Sequence, residues 1–165
     1  MISIQVPATS ANMGPGFDSI GVALQLYNHL WVEEIPEGLE IEVRRKQAIE
    51  IPTDETNLIY QTMRYFYEQK GLAMPGVRLI QEDNIPMVRG LGSSAACIVG
   101  GLLAANALAG SPCGREELAQ MAAKLVERGG KIMIVGTIPG EPPVNFLSIN
   151  REITLQPVFR SANTF

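Results

Sequence analysis

The sequence is short of the residues that build metal and redox sites. Among its 165 residues it has one histidine, His29, and two cysteines, Cys97 and Cys113. The cysteines do not form a C-x-x-C pair, which is the spacing typical of metal and disulfide-exchange sites. We therefore predict that both are reduced thiols of a cytoplasmic protein and that His29 has a structural role.

The chain also lacks a basic patch and a long apolar run. Its net charge is −4 and its pI is about 5.0, and its basic cluster at residues 44–46 is too short to bind a polyanion. This balance argues against nucleic acid as a partner. No apolar stretch approaches the roughly 20 residues that a membrane helix needs. We expect a soluble, cytoplasmic protein without a membrane partner.

The residues that are present follow the pattern of an ordinary globular domain, with 46% hydrophobic and 18% charged residues. Because predicted strands and helices alternate irregularly, the order favours an α+β fold over a regular parallel α/β fold. Alternation with period two predicts strands at residues 2–6, 20–34, 39–45, 76–84, 131–136 and 149–159, and helical spacing predicts helices at 56–70, 93–109 and 116–127.

A glycine-rich loop leads into the second predicted helix, with the sequence Gly-Leu-Gly-Ser-Ser-Ala-Ala at residues 90–96. Glycine lets phosphate oxygens come within about 3 Å of backbone N–H groups, and the helix adds unpaired N–H groups and the positive end of its dipole. Ser93 and Ser94 can cap the helix or offer hydroxyls to phosphate or Mg²⁺. The alternative is a glycine turn with a serine cap that binds nothing, because the loop matches neither the P-loop nor the dinucleotide fingerprint.

A second polar loop follows the first predicted strand, at residues 7–18. Asn12 and Asp18 lie there among prolines and glycines. Such a loop can hold an amide and a carboxylate at fixed positions in a cleft, and a carboxylate can accept hydrogen bonds from a substrate ammonium. The alternative is an Asx-type turn or a cap.

Together, the two segments resemble the homoserine kinases of the GHMP kinase family. The resemblance rests on two segments, V-P-A-T-S-A-N-M-G-P-G-F-D-S-I-G at residues 6–21 and I-P-M-V-R-G-L-G-S-S-A-A at residues 85–96. The resemblance covers residues 1–125 and implies the family's N-terminal ATP-binding domain, an α+β fold of the ribosomal protein S5 domain 2-like type, here incomplete. It implies transfer of the γ-phosphoryl group of ATP to the side-chain hydroxyl of L-homoserine, a step toward threonine.

The same resemblance implies roles for individual residues. Asn12 is expected near the substrate hydroxyl, Asp18 near its ammonium, and Asn57 near the adenine. Ser94 is expected to bind Mg²⁺ or phosphate and to share the catalytic site with Asn12 and Asp18. The phosphates are expected to rest on Gly90, Leu91, Gly92, Ser93, Ser94, Ala95 and Ala96. In phosphoryl transfer, positioning and charge neutralisation supply most of the rate.

The resemblance ends after residue 125. Similar enzymes continue the third helix as A-A-x-L-E-G-H-P-D-N, which supplies a Mg²⁺-binding glutamate, whereas Val126 stands at that position here. Glu127 follows one residue later, about 100° further around a helix. The motifs of the family's C-terminal half are absent as well. We therefore expect weak or no turnover. The alternative is a folded, non-catalytic remnant with at most residual ATP binding.

Residues 126–165 are similar to a C-terminal piece of the medium-chain zinc-dependent dehydrogenases of the sorbitol dehydrogenase type. They lack that family's glycine fingerprint and zinc ligands, so we expect no dehydrogenase activity. We interpret the chain as a chimera of a kinase domain at 1–125 and a short, foreign, β-rich tail at 126–165. The alternative is a divergent kinase C-terminus. Apolar kinase surface that the tail leaves uncovered predicts self-association and marginal stability.

Overall fold

A computed structural model describes residues 1–10, 22–45, 50–87, 89–125, 133–136, 144–149 and 152–154. The strands in these ranges are β1 (Ile2–Ser10), β2 (Val22–Ile35), β3 (Leu39–Arg45), β4 (Gly76–Asp83), β5 (Met133–Gly136), β6 (Val144–Ile149) and β7 (Glu152–Thr154). The helices are α1 (Leu58–Lys70), α2 (Ser93–Leu108) and α3 (Arg115–Leu125).

Four strands form a mixed sheet in the order β1-β2-β4-β3. β2 pairs antiparallel with β1 and β4, whereas β3 runs parallel to β4. The register places Ile4 opposite Leu30 and Val32 opposite Leu79, so the buried side chains of successive strands collect on one face of the sheet. With α2 packed on that face, the arrangement is α+β, which confirms the predicted fold class.

α2 is the central helix of the described fold and is buried on nearly all sides. Its small residues allow close approach to its neighbours. A Cβ on Gly101 would lie 2.8 Å from the carbonyl oxygen of Ile59 in α1, and a Cβ on Gly100 would collide with Leu30 of β2. This packing fixes the position of α2, and therefore of its N-terminus. Although α2 is apolar, none of the described helices has the length and apolarity to cross a membrane.

Strand β1 is longer than the sequence predicted. It continues to Ser10, where we expected a loop from residue 7 onward, because its pairing with β2 resumes after an irregularity that follows Pro7. Hydrogen bonding across the sheet therefore overrides the local preference of proline for turns. The rest of that predicted loop, including Asn12 and Asp18, lies outside the described residues.

The C-terminal strands form a separate antiparallel sheet in the order β5-β6-β7. β5 lies beside β1 and α2. Most of β6 occupies a stretch in which we predicted no strand, because its pairing with β5, the preceding strand, is not encoded by local sequence preference. Of the strand predicted at 149–159, the structure describes Ile149 at the end of β6 and all of β7.

Candidate functional site

A cleft of about 250 Å³ lies where the N-termini of α1 and α2 meet. It brings together residues that the sequence analysis proposed separately, namely Asn57 at the start of α1 and Ser93 and Ser94 at the start of α2. The lining is apolar at Ile51, Pro52, Leu58, Ile59 and Met87, and it is polar at Glu50, Thr56, Asn57, Gln81, Ser93 and Ser94. A partly apolar cleft with a few convergent polar groups is the usual form of a small-molecule site.

The N-terminus of α2 is open. Its cap residue is Gly92, in the left-handed conformation (φ 71°, ψ 25°), and no side chain of the described residues caps the helix. The first intrahelical bond runs from the Ala96 N–H to the Gly92 carbonyl at 2.8 Å, so the amides of Ser93, Ser94 and Ala95 precede the hydrogen-bonded turn. The prediction that Ser93 or Ser94 caps this helix is therefore wrong, because glycine holds the cap position.

The two glycines of the loop have different surroundings. Gly90 has φ 70°, and a Cβ built on it would meet nothing within 4 Å. A Cβ on Gly92 would lie 2.7 Å from Oγ1 of Thr9. Glycine at position 90 is required by backbone conformation and leaves open space beside the loop. At position 92, glycine is required both by the left-handed backbone conformation and by the tight packing against β1.

The end of β1 contacts the glycine loop directly. The Thr9 N–H donates to the Leu91 carbonyl at 3.0 Å. The first polar motif therefore begins against the second, although the two are distant in the sequence. Asn12 follows Thr9 by three positions and lies, like Asp18, outside the described residues, so the places predicted for both remain predictions.

Asn57 is the N-cap of α1, a role that the sequence analysis missed. Its Oδ1 accepts hydrogen bonds from the N–H groups of Ile59 at 2.9 Å and Tyr60 at 3.4 Å. Its Nδ2 donates to the carbonyl of Pro52 at 2.8 Å and to Oε1 of Gln81 at 3.2 Å. All four hydrogen-bonding positions of this amide are occupied by protein groups. An asparagine directly before an apolar helical pattern was the signal for this cap.

A row of buried polar side chains continues behind Asn57, and sequence reasoning missed it too. Asn28 of β2 donates to Oδ1 of Asp83 at 2.6 Å, while Oδ2 of this carboxyl has no hydrogen-bond partner within the described part of the chain. Burial raises the pKa of Asp83, while the hydrogen bond from Asn28 acts in the opposite direction. The sequence signal for this row was the period-two alternation along β4, because Gln81 and Asp83 follow the buried Leu79 at every second position.

The cysteines and the histidine lie apart from any nucleophilic chemistry. Both thiols are free and buried, and burial raises the pKa of Cys97, which borders the cleft, to about 12. This thiol therefore stays protonated and unreactive at neutral pH. His29 stacks on Trp31 with 5.8 Å between ring centroids, on the sheet face opposite the buried side chains.

The described residues at the start of α2 fit a phosphate group. The open amides of α2 and the exposed Ser94 hydroxyl are suited to phosphate oxygens. Within the described ranges there is no group of three or more His, Cys, Asp or Glu side chains that could hold a metal ion. Mg²⁺ normally takes at least one carboxylate besides substrate phosphates, and Glu50 is the one carboxylate on the described lining of the cleft.

Comparison with known proteins defines the class. The model of the GHMP kinases N terminal domain matches residues 57–135. The fold superposes on mevalonate kinase of Methanococcus jannaschii with a TM-score of 0.62 at 15% identity, over 95% of this chain and 56% of that one. The described fold is that of the GHMP kinase N-terminal domain.

Among proteins of that fold, the aligned part of the chain is similar in sequence to homoserine kinases. The homoserine kinase of Petrotoga mobilis is 51% identical over 125 residues, or 76% of this chain and 41% of that protein. The enzyme of Synechocystis sp. is 53% identical over 123 residues, or 73% and 40%. A structure described as a homoserine kinase from Listeria monocytogenes superposes with a TM-score of 0.66 at 34% identity, over 90% and 53%. The chain spans about two fifths of the length of these curated relatives.

Proposed function

We propose that this chain is the ATP-binding part of a homoserine kinase-type phosphotransferase, with the triphosphate of ATP at the open N-terminus of α2. The observation that carries the proposal is this helix end. It has a left-handed glycine cap and no side-chain cap, and it borders the cleft through Ser93 and Ser94. Unpaired amides and the positive end of the helix dipole favour a phosphate there.

L-Homoserine is the proposed acceptor. The support is the identity of about half the aligned residues to homoserine kinases together with the motif at residues 6–21. In this proposal Asn12 lies near the substrate hydroxyl and Asp18 pairs with its ammonium. The contact between Thr9 and Leu91 favours this arrangement, because it directs the chain toward the glycine loop just before Asn12.

Ser94 is the proposed protein ligand for Mg²⁺ or phosphate. Because Val126 replaces the glutamate of similar enzymes and Glu50 is the one carboxylate on the described lining of the cleft, we derive no catalytic step through the metal. A bound Mg²⁺ would neutralise the developing charge on the transferred phosphoryl group, and losing its carboxylate ligand weakens that effect. We therefore propose that ATP binding persists while turnover is weak or lost.

We also propose that residues 126–165 have a different origin from residues 1–125. Sequence alignments to the homoserine kinases span 122 to 125 residues of the chain, and β5, β6 and β7 form a sheet of their own. The alternative, a divergent kinase continuation, is favoured by the family match that extends to residue 135. Sequencing the source DNA across codons 120–130 tests this boundary, because an uninterrupted genomic reading frame would remove an assembly error as the explanation.

The proposed setting is the cytoplasm. Cys97 and Cys113 are both free, buried thiols, which agrees with a reducing compartment. We further propose that the chain self-associates where the rest of a full-length kinase would cover it. Sedimentation velocity at several protein concentrations tests this proposal, and a single monomer peak at all of them would count against it.

Calorimetric titration tests the central proposal. We expect the wild-type chain to bind ATP in the presence of Mg²⁺ and to bind it roughly five- to tenfold more weakly after Ser94→Ala, the loss of one phosphate hydrogen bond. Ser3→Ala, in β1 on the other face of the sheet, is the matched control and leaves the affinity unchanged.

The remaining outcomes separate the alternatives. If neither ATP nor L-homoserine produces heat, the chain is a folded remnant without a ligand site. Binding that Ser94→Ala does not weaken places the triphosphate elsewhere. A coupled assay addresses turnover, and rates of about 1–100 s⁻¹, normal for kinases, would show that the chain needs no glutamate at position 126.

A further inference from the structure

An asparagine side chain takes over from backbone pairing where β4 leaves the sheet. The ladder between β2 and β4 ends at His29 opposite Glu82. One position beyond it, the side-chain oxygen of Asn28 accepts the backbone N–H groups of Asn84 and Ile85, each at 2.8 Å. A side-chain amide offers the same kind of acceptor as a peptide group, so Asn28 continues the hydrogen bonding of the sheet past the last backbone pair.

Asn84 returns the contact from the other side. Its Nδ2 donates to the carbonyl of Tyr27 at 3.0 Å and to Oε1 of Glu82 at 2.9 Å. The amide of Asn28 is also held by Asp83, because its Nδ2 donates to Oδ1 of that carboxyl at 2.6 Å. Asn28, Asn84 and these hydrogen bonds form what we call the asparagine clasp. It attaches the first residues after β4 to β2.

The asparagine clasp begins the connection from β4 to α2, residues 84–92. Ile85 is fully buried, and Met87 borders the cleft. Near the far end, the carbonyl of Leu91 accepts the Thr9 N–H at 3.0 Å. The connection is thus attached to the sheet twice, to β2 through the asparagine clasp and to β1 through Thr9. Between the two attachments lie the part of the cleft wall at Met87 and the start of the glycine loop.

We propose that Asn28 is a positioning residue of the proposed ATP site, because its side chain sets the course of the connection that carries the glycine loop. Asn28 is 3% exposed and is not among the described residues that line the cleft. It therefore acts through the connection and not by contact with the nucleotide. This inference rests on the proposed triphosphate site at the start of α2. Loosening the asparagine clasp should weaken ATP binding while the rest of the fold stays in place.

Two unpaired oxygens beside the asparagine clasp favour positioning over simple core stability. Within the described part of the chain, Oδ2 of Asp83 and Oδ1 of Asn84 are buried without a hydrogen-bond partner. Unpaired buried acceptors lower stability, so packing alone would favour apolar side chains at these positions. In contrast, the amide of Asn28 has one orientation only, since its oxygen alone can accept the two backbone N–H groups.

Asn28→Leu is the first test of the inference. Leucine keeps a buried side chain of similar size but offers no acceptor to the N–H groups of Asn84 and Ile85. We expect amide hydrogen exchange at Ile85 to accelerate roughly tenfold, as for the loss of one or two hydrogen bonds. Exchange at Thr9 should accelerate by a smaller factor, because the glycine loop moves with the connection. In calorimetric titrations with Mg²⁺, the dissociation constant of ATP should rise roughly five- to tenfold.

Val32→Ala is the matched control for lost stability. Val32 lies on the same strand and the same face as Asn28 and is fully buried, so its truncation lowers the thermal midpoint without touching the connection. Measured well below the thermal transition, the ATP affinity of this variant should stay within about twofold of the wild type. A purely structural role of Asn28 predicts the same unchanged affinity in Asn28→Leu.

Exchanging the side chains at positions 28 and 83 supplies a rescue. Asp83→Asn alone should leave the asparagine clasp intact, because its oxygen can replace Oδ1 and its NH₂ group can replace Oδ2, which has no described partner. Asn28→Asp alone sets two carboxyl groups against each other at the 2.6 Å contact. The double variant reverses the direction of that one hydrogen bond, and position 28 still accepts both N–H groups of the connection. We expect its exchange at Ile85 and its ATP affinity to lie within about twofold of the wild type.

Each outcome decides the inference or the proposed function. Unchanged ATP affinity in Asn28→Leu overturns the inference, as does an equal loss in Val32→Ala or a double variant no better than Asn28→Asp. If Asn28→Leu does not fold, the double variant decides: native ATP affinity supports the inference, and failure to recover it overturns the inference. If the wild type binds no ATP, the proposed function fails, while exchange at Ile85 and Thr9 still decides whether Asn28 positions the glycine loop.

Discussion

Two helix N-termini border the same cleft, and they differ in whether a side chain accepts hydrogen bonds from their first amides. α1 begins with Asn57, whose side chain accepts hydrogen bonds from Ile59 and Tyr60. α2 begins with Gly92 and has no side-chain cap. The first helix satisfies its amides internally and gains about 1 kcal/mol from the cap. The second leaves them for another group, which is the arrangement that an anion site needs.

The difference also shows how an open helix end is held in place. α2 is positioned by its burial against the sheet and against α1 at Gly100 and Gly101, and its loop is tied to β1 through Thr9 and Leu91. Tertiary packing thus supplies the order that a cap would otherwise provide. The described structure separates the two roles: α1 stabilises the cleft, and α2 offers the binding groups.

Gly92→Ala should have the largest effect on stability among the changes at these two helix ends. A left-handed alanine costs about 1–2 kcal/mol, and its Cβ would lie 2.7 Å from Oγ1 of Thr9, which adds an overpacking cost of about 1–3 kcal/mol. Urea unfolding measures the total. Gly90→Ala is the matched control, because Gly90 has φ 70° but no described atom within 4 Å of an added Cβ. We expect this variant to lose only the conformational cost of a left-handed alanine. Equal losses would show that the Thr9 contact is unimportant.

Asn57→Ala should rank second. It removes the cap of α1, at about 1–2 kcal/mol, and leaves Oε1 of Gln81 without the Asn57 donor, which adds about 1 kcal/mol or more. We expect the free energy of unfolding to fall by about 2–3 kcal/mol in urea titrations. Circular dichroism should also show reduced helicity near the transition. A loss below about 0.5 kcal/mol would contradict the capping role.

Ser94→Ala should barely change stability. Its side chain is exposed and makes no cap hydrogen bond to α2, so we expect a change within about 0.5 kcal/mol, as for a surface substitution. The same urea titration measures it beside Asn57→Ala. A loss comparable with that of Asn57→Ala would erase the contrast between the two helix ends.

The smallest effect concerns pH. Because burial raises the folded-state pKa of Asp83 above its unfolded value, the folded chain holds this proton more tightly. This contribution to stability is therefore fully present below the unfolded pKa and is lost as pH rises through the folded pKa. We expect the stability of the wild type relative to Asp83→Asn to decline as pH rises from about 4 toward neutrality. Unfolding titrations at several pH values measure this difference, and a difference that grows with pH would mean that the pKa is lowered.

Much of the fold was predictable because local patterns carry it. β3 begins and ends at the residues predicted from alternation, and α1 ends at Lys70, the predicted last residue, before the left-handed Gly71. The glycine loop and the slender α2 were also predicted from small residues alone. All of these features were predictable because backbone preferences and residue spacing act within a few neighbouring positions.

The site was predicted less completely, because its decisive contacts join distant segments. The position of Asn57 beside the adenine stays a prediction, and the sequence analysis did not foresee that its side chain also caps α1 and binds Gln81. The serines were expected to cap α2, but Gly92 holds that position. The roles of Asn28 and Asp83 depend on pairing between β2 and β4, more than fifty residues apart in the sequence.

The sequence by itself determined the glycine loop, the small-residue helix behind it and the likeness to a phosphate-binding kinase domain, because these features need only certain residue types at short spacing. The tertiary structure alone decided which helix end stays open and which side chains set the walls of the cleft. Hydrogen-bond capacity is limited, so whether a buried amide remains available to a ligand depends on what the folded chain places beside it.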